Sequence, residues 1–193
     1  MPILDLGPAT SAMAKLIEGV RDDQLGAPTP CAAYSLGDLV DHVGGLAIAF
    51  TMAANKRLGV ADGRPMPSAA KLPADWRTRI PRDLEALAEA WRDPQAWTGM
   101  TRVGGVDLPG DVAGVVGLNE LVIHGWDVAT ASGQPFDCEP DLLQAVHEFL
   151  AASADPKVRE NTPFGQVVPV AADAPLLDRV VGLSGRDPHA FAR

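Results

Sequence analysis

The sequence predicts an all-α bundle with long connections. Three observations carry this. Apolar residues recur at helical spacing in several separate stretches, whereas β-prone residues gather in only one short piece. Gly and Pro are frequent, 19 and 17 of 193 residues, so firm helices should be divided by sizeable irregular segments. The length suits one domain with a substantial core.

The first helix is expected over 8–24, where Ala12, Met13, Leu16, Ile17 and Val20 follow Pro8 at helical spacing. GAPTPCAAY (26–34) is a Pro-containing connector. Ser35 then opens a second helix, with Asp38 three residues on as in a capping box. Leu36, Leu39, Val40, Val43, Ala47 and Phe50 form its apolar stripe, and it should end near Gly59. Residues 60–76 read as a loop. A third helix is expected after Pro81, burying Leu84, Leu87, Ala88 and Trp91 and ending at Asp93-Pro94. WTGMTRVGGVDLPG (97–110) sets Gly-Gly between short β-prone pieces, which predicts a small hairpin. The fourth helix spans roughly 111–131 and is stopped by Gly133. A fifth follows Pro140 with Leu142, Leu143, Val146, Phe149 and Leu150 inside. Residues 155–173 are irregular, and a short last helix covers Pro175–Leu183.

Charge narrows the function. The net charge is −9 and the pI is near 4.8. Arg77, Arg79 and Arg82, the densest basic cluster, stand beside Asp75, Asp83 and Glu85, so no basic stripe awaits phosphates. Neither nucleic acid nor an anionic membrane is an expected partner. The opening MPILDLGPAT lacks signal-peptide character, and the apolar run 46–54 is too short to span a bilayer, so a cytoplasmic protein is expected. Cys31 and Cys138 lack CxxC spacing.

The chemistry concentrates in NELVIHGWDVATASGQ (119–134). At about 100° per residue, Glu120, His124 and Asp127 occupy one narrow arc of a helix. Val112, Val115, Leu118, Leu121, Val122, Ile123, Trp126 and Val128 cover most of the rest. A surface helix normally gives its polar residues a wider arc, so this one is enclosed, with its polar atoms facing a pocket or a partner. Buried charge is costly unless paired. A divalent ion shared by Glu120 and His124, neighbours at i and i+4, would meet that cost, and nitrogen plus oxygen donors suit zinc, nickel or iron(II). The bland alternative is a hydrogen-bonded or solvated Glu–His pair.

A third ligand must come from elsewhere, and there are only four histidines: His42, His124, His147 and His189. His42 lies at the edge of the second helix's stripe, followed by Gly44 and Gly45, each of which costs roughly 0.5–1 kcal/mol in a helix relative to Ala. Such glycines mark a close helix contact or room for a ligand. His42 also reads as an ordinary boundary histidine. Asp127 is an acceptor behind a ligand, a surface charge or, least, a ligand itself. His147 reads as structural and His189 as exposed. Cys31 is either a small packed residue or a reactive thiol near a helix start.

TPCAAYSLGDLVDHVGG (29–45) resembles the "TPC…W…DLxxHxxG" opening of the mycothiol-dependent maleylpyruvate isomerase N-terminal family. NELVIHGWDVATASGQ resembles that family's "E…HxWDxxxATGQ" helix, and FGQVVPVAADAPLLDRVVGLSGRDP (164–188) is similar to the ending of its short, single-domain actinobacterial metal-binding members. The resemblance implies a DinB-like four-helix bundle with a divalent metal, zinc foremost, held by His42, Glu120 and His124. It implies a single domain over 1–193, with 154–193 as an extension packed on the bundle. Tyr34 stands where the motif has Trp, read as a packing change. The isomerase is expected to complete its site with a second domain, whereas this chain ends after a short tail.

The function expected on this basis is a metal- and low-molecular-weight-thiol-dependent isomerase or S-transferase. It would use mycothiol as co-substrate on a small electrophilic substrate. Metal coordination lowers a thiol's pKa and yields a thiolate near neutral pH. The alternatives are metal-dependent hydrolysis, a non-catalytic metal- or small-ligand-binding module, and a purely structural Glu–His pair.

Overall fold

A computed structural model describes residues 3–57, 66–160 and 164–190. The chain divides into two compact units, Met1–Asp137 and Cys138–Arg193. The first holds four long helices: α1 (Gly7–Gly19), α2 (Leu36–Ala54), α3 (Trp76–Trp91) and α4 (Gly110–Ser132). α1 packs against α3 and α4, and α2 packs against the same two, which closes a four-helix bundle of the DinB-like type. Leu16, Ile17, Leu39, Val43, Phe50, Ile80, Leu84, Trp91, Leu118 and Val122 fill its interior.

α2 begins where its capping residues require. Ser35 Oγ accepts from the Asp38 backbone N–H at 3.3 Å, and the Asp38 carboxylate accepts from the Ser35 N–H at 3.0 Å. The other Asp38 oxygen accepts from Ala69 N–H at 2.8 Å, tying the following loop to the same turn. By length and composition α2 is apolar enough to cross a membrane, but 56% of the relevant stretch is buried inside the protein. It is a core helix here.

Three boundaries differ from expectation, each for a visible reason. α1 stops at Gly19 because the extended Val20 turns its carbonyl outward, where the Arg77 guanidinium donates to it at 2.8 Å. Residues 22–24 form only a single 3₁₀ turn. α2 stops at Ala54, where the Asn55 side chain donates to the Thr51 carbonyl and Lys56 takes a positive φ of 55°. The expected end at Gly59 lies outside the described residues. α3 starts at Trp76 and carries Pro81 inside it. Burial of Trp76 and Ile80 extends the apolar stripe one turn ahead of the proline, and that packing outweighs the lost backbone hydrogen bond.

The hairpin forms as expected. β1 (Met100–Val103) pairs antiparallel with β2 (Val106–Pro109), Val103 opposite Val106. Gly104 and Gly105 connect them with φ of 57° and 81°, the primed turn geometry that a two-residue hairpin demands. Thr101 Oγ1 donates to the Ala53 carbonyl at 2.6 Å, pinning the hairpin to the end of α2.

The second unit contains α5 (Pro140–Ala152), a single-turn α6 (Pro156–Arg159) and α7 (Leu176–Leu183), with α5 packed on α7. The unit begins at 138, so α5 groups with the tail, ahead of the extension expected from 154. α6 falls in the stretch read as irregular. Asp155 starts it by accepting from the Lys157 N–H at 2.8 Å. The buried Arg159 guanidinium donates to the carbonyls of Ser153, Gly165 and Leu150, joining this turn to α5 and the loop beyond.

Candidate metal centre

α4 is enclosed on nearly all sides, as its narrow polar arc predicts. Across residues 117–129 only Glu120 is not buried. Asp127 is 0% exposed and His124 8% exposed, so each must find its polar partners inside the protein. His42 projects from α2, which packs on α4. A Cβ added at Gly44 would come within 3.1 Å of the Ile80 side chain, so this glycine serves the close α2–α3 approach. A Cβ added at Gly125 would come within 2.7 Å of the Phe136 ring, so that glycine makes room for the ring.

The two segments converge. Glu120 Oε2 lies 3.2 Å from His124 Nε2 and 3.5 Å from His42 Nε2, so one carboxylate oxygen faces both imidazoles. The His42 and His124 rings stand edge-on, their centroids 5.0 Å apart. One donor atom from each of the three residues lies within 4.8 Å of the others. On the far side of its ring, His124 Nδ1 lies 2.9 Å from Asp127 Oδ2. With the proton on Nδ1, His124 donates to that carboxylate, which leaves the Nε2 lone pair directed at Glu120 and His42. Asp127 thus stands as an acceptor behind His124, one of the roles the sequence left open.

The electrostatics are those of a cation site. Burial pushes the Glu120 carboxyl up, but hydrogen bonds with His124 and then with His42 outweigh it and hold the group well below the usual carboxylate range. Burial likewise pushes the His124 imidazole down, and its hydrogen bonds with Asp127 and Glu120 overcome this, raising it to about 9. In the metal-free protein, then, a proton on His124 partly fills the role of a cation between two carboxylates. Since the folded value lies above the ordinary 6.5, this stabilisation is complete below about pH 6.5 and is lost as the pH climbs through about 9. Calorimetry in chelator should show the melting temperature falling across that window. Added zinc, which replaces the proton, should flatten the fall. A melting temperature that holds or rises over the window in chelator would count against the charge arrangement described.

Two imidazoles and a carboxylate, oriented from behind by a buried carboxylate, form a donor set that fits zinc or a similar divalent ion. The structure brings together all three residues expected to hold it. It places His147 elsewhere, on α5, 3.0 Å from the Arg179 guanidinium, and leaves His189 exposed. It also adds two neighbours. The Tyr34 ring, read from sequence as a packing change, lies 5.3 Å from the His42 ring. Cys31, half-buried, brings Sγ within 4.8 Å of donor atoms of His124 and Asp127. The sequence signals for them were their places in the opening motif of 29–45 and, for Cys31, a thiol near a helix start.

Three comparisons with known proteins found similar chains. The family model described as mycothiol maleylpyruvate isomerase N-terminal domain matches residues 6–129. Uncharacterized proteins from two strains of Mycobacterium tuberculosis are each 30% identical over 189 residues, covering 96% of this chain and 97% of theirs. Among solved structures, the mycothiol-dependent maleylpyruvate isomerase superposes with a TM-score of 0.63 at 17% identity, and a histidine-to-alanine mutant of it with 0.60. Each match covers 90% of this chain and 83% of the isomerase chain, so the shared fold reaches well past the matched N-terminal segment.

Proposed function

Because this chain belongs to the mycothiol maleylpyruvate isomerase N-terminal domain family, we propose that it is a divalent-metal- and thiol-dependent enzyme of isomerase or S-transferase type. His42, Glu120 and His124 are its ligands for zinc, mycothiol is its co-substrate, and it acts in the cytoplasm on a small electrophile. The observation that carries this is the convergence of three donor atoms, from two helices distant in sequence, within 4.8 Å.

A divalent ion held by His42, Glu120 and His124 would supply the positive charge that favours thiolate over thiol near neutral pH. The chain's own residues prepare it. Asp127 fixes the His124 tautomer from behind at 2.9 Å. Tyr34 lies against the His42 ring, the two centroids 5.3 Å apart. The side chains of His42 and Glu120 are 20% and 24% exposed while that of Asp127 is 0%, so small molecules reach the centre from the His42–Glu120 side. The reaction class that follows is addition of a thiol sulfur to an electrophilic carbon, completed by isomerisation or S-transfer.

The test is turnover of maleylpyruvate and other activated alkenes by zinc-loaded protein, with and without mycothiol. Thiol-dependent turnover that disappears in Glu120→Ala supports the proposal. Turnover without thiol would point instead to metal-dependent hydrolysis. Stoichiometric metal uptake with no turnover of any electrophile would leave a binding module.

A further inference from the structure

We propose that Cys31, His124 and Asp127 form a second cation position, selective for soft, thiophilic ions such as Cd²⁺, and that its occupancy excludes an ion from the His42–Glu120–His124 position. The cluster is present in the geometry. Cys31 Sγ, a His124 ring nitrogen and an Asp127 carboxylate oxygen all lie within 4.8 Å of one another. Neither Cys31 nor Cys138 is in a disulfide. Asp127 and His124 are buried, and the half-buried Cys31 gives the cluster a side reachable from solvent.

The thiol is placed there by a rigid device. Thr29, 5% exposed, sets its hydroxyl 2.9 Å from the Cys31 carbonyl and 2.8 Å from the Tyr34 carbonyl. The Tyr34 N–H donates to the same Cys31 carbonyl at 2.9 Å. The turn is therefore closed on itself, and Ser35 locks its exit onto α2. One end of the turn presents Cys31 to His124 and Asp127, while the other lays Tyr34 on His42.

Two arguments give this cluster its selectivity and its effect. Thiolate, imidazole and carboxylate together favour thiophilic ions, whereas two imidazoles and a carboxylate are the harder set. The two sets also compete for one ring. Glu120 faces Nε2 and Asp127 faces Nδ1. A neutral imidazole has one lone pair, so His124 serves one position at a time. An ion taken on the Cys31 side sends the Sγ proton to solvent and takes the Nδ1 lone pair. The ring's single proton then sits on Nε2 and is donated to Glu120, which removes His124 from the first position. The inference shares His124 with the proposed function but does not depend on any turnover.

Ultraviolet thiolate-to-metal charge transfer on titration with Cd²⁺ tests it, alongside the visible bands of Co²⁺ loaded beforehand. The wild type, Cys138→Ser and His42→Ala proteins should show the Cd²⁺ thiolate band. Cys31→Ser should lose it and bind Cd²⁺ at least tenfold more weakly, yet still take up Co²⁺. In the wild type each Cd²⁺ bound should displace one Co²⁺. A thiolate band that survives in Cys31→Ser, no band in any protein, or Cd²⁺ and Co²⁺ bound together on one chain would each overturn the proposal. If the wild type takes no Co²⁺, the first position fails by itself. The second is then still decided by the Cd²⁺ band and its loss in Cys31→Ser.

Discussion

Glu120→Ala is expected to weaken zinc binding by more than about 100-fold, the top of the range seen when only an outer partner of a ligand is removed. The reason is charge as much as contact. Glu120 is the one anionic donor among the three, and its Oε2 lies between two imidazole nitrogens at 3.2 and 3.5 Å. Without it, two neutral rings remain, and the bonds each makes to an ion lose their electrostatic support. Glu120→Gln separates the two effects, because it keeps the shape and oxygen donor but not the charge. It should lie much closer to Ala than to the wild type. Helical content should change little, since the side chain is about a quarter exposed and fills no core position. Metal analysis after equilibrium dialysis, with circular dichroism alongside, measures both quantities. Zinc retained at one equivalent by Glu120→Ala would remove this residue from the site.

The parts of the fold written in local chemistry were readable from sequence. The Ser35–Asp38 box, the Gly104–Gly105 turn and the stop at Gly133, where φ is 73°, depend on a few adjacent residues, and each lies where those residues put it. The convergence of His42 on Glu120 and His124 is different. No spacing fixes which helices become neighbours, and only the family resemblance singled out position 42. What sequence could not reach were outcomes of tertiary packing. Pro81 sits inside α3 because Trp76 and Ile80, one turn earlier, find places in the core. α1 ends where the Arg77 guanidinium, some 57 positions on, claims a carbonyl. Cys31 and Tyr34 reach the site because Thr29 bends the connector back on itself. Asp127 reads from sequence as suited to solvent as well as to an acceptor's role, and the enclosure of α4 is what requires a partner for its charge, one of which is His124 at 2.9 Å.

Trp91→Ala should be among the most destabilising single changes in the bundle, costing about 3–5 kcal/mol. Trp91 is 0% exposed and stands where four elements meet. Its indole Nε1 donates to the Phe50 carbonyl of α2 at 3.1 Å, and its own carbonyl accepts from Trp97 Nε1 at 2.7 Å. The two indoles pack edge to face with centroids 5.1 Å apart. On α4, a Cβ added at Gly114 would come within 2.9 Å of Trp91 and 2.6 Å of Trp97, so that helix has been drawn in until only a glycine fits against the pair. Truncation therefore opens a cavity that α4 cannot close without moving the turn that carries Glu120 and His124. A loss of that size corresponds to roughly 6–20 °C in melting temperature for a chain of this length. All four tryptophans lie in the first unit, so their fluorescence follows that unit's unfolding without interference from the second. Trp91→Phe keeps the six-membered ring but loses the pyrrole portion and its donation to Phe50, the hydrogen bond alone costing about 1 kcal/mol. Met100→Ala, at a side chain 59% exposed on the hairpin, should stay within about 0.5 kcal/mol of the wild type. The order Ala, Phe, wild type in melting temperature is the required result. A Trp91→Ala protein that melts with Met100→Ala would mean that this junction does not hold the bundle together.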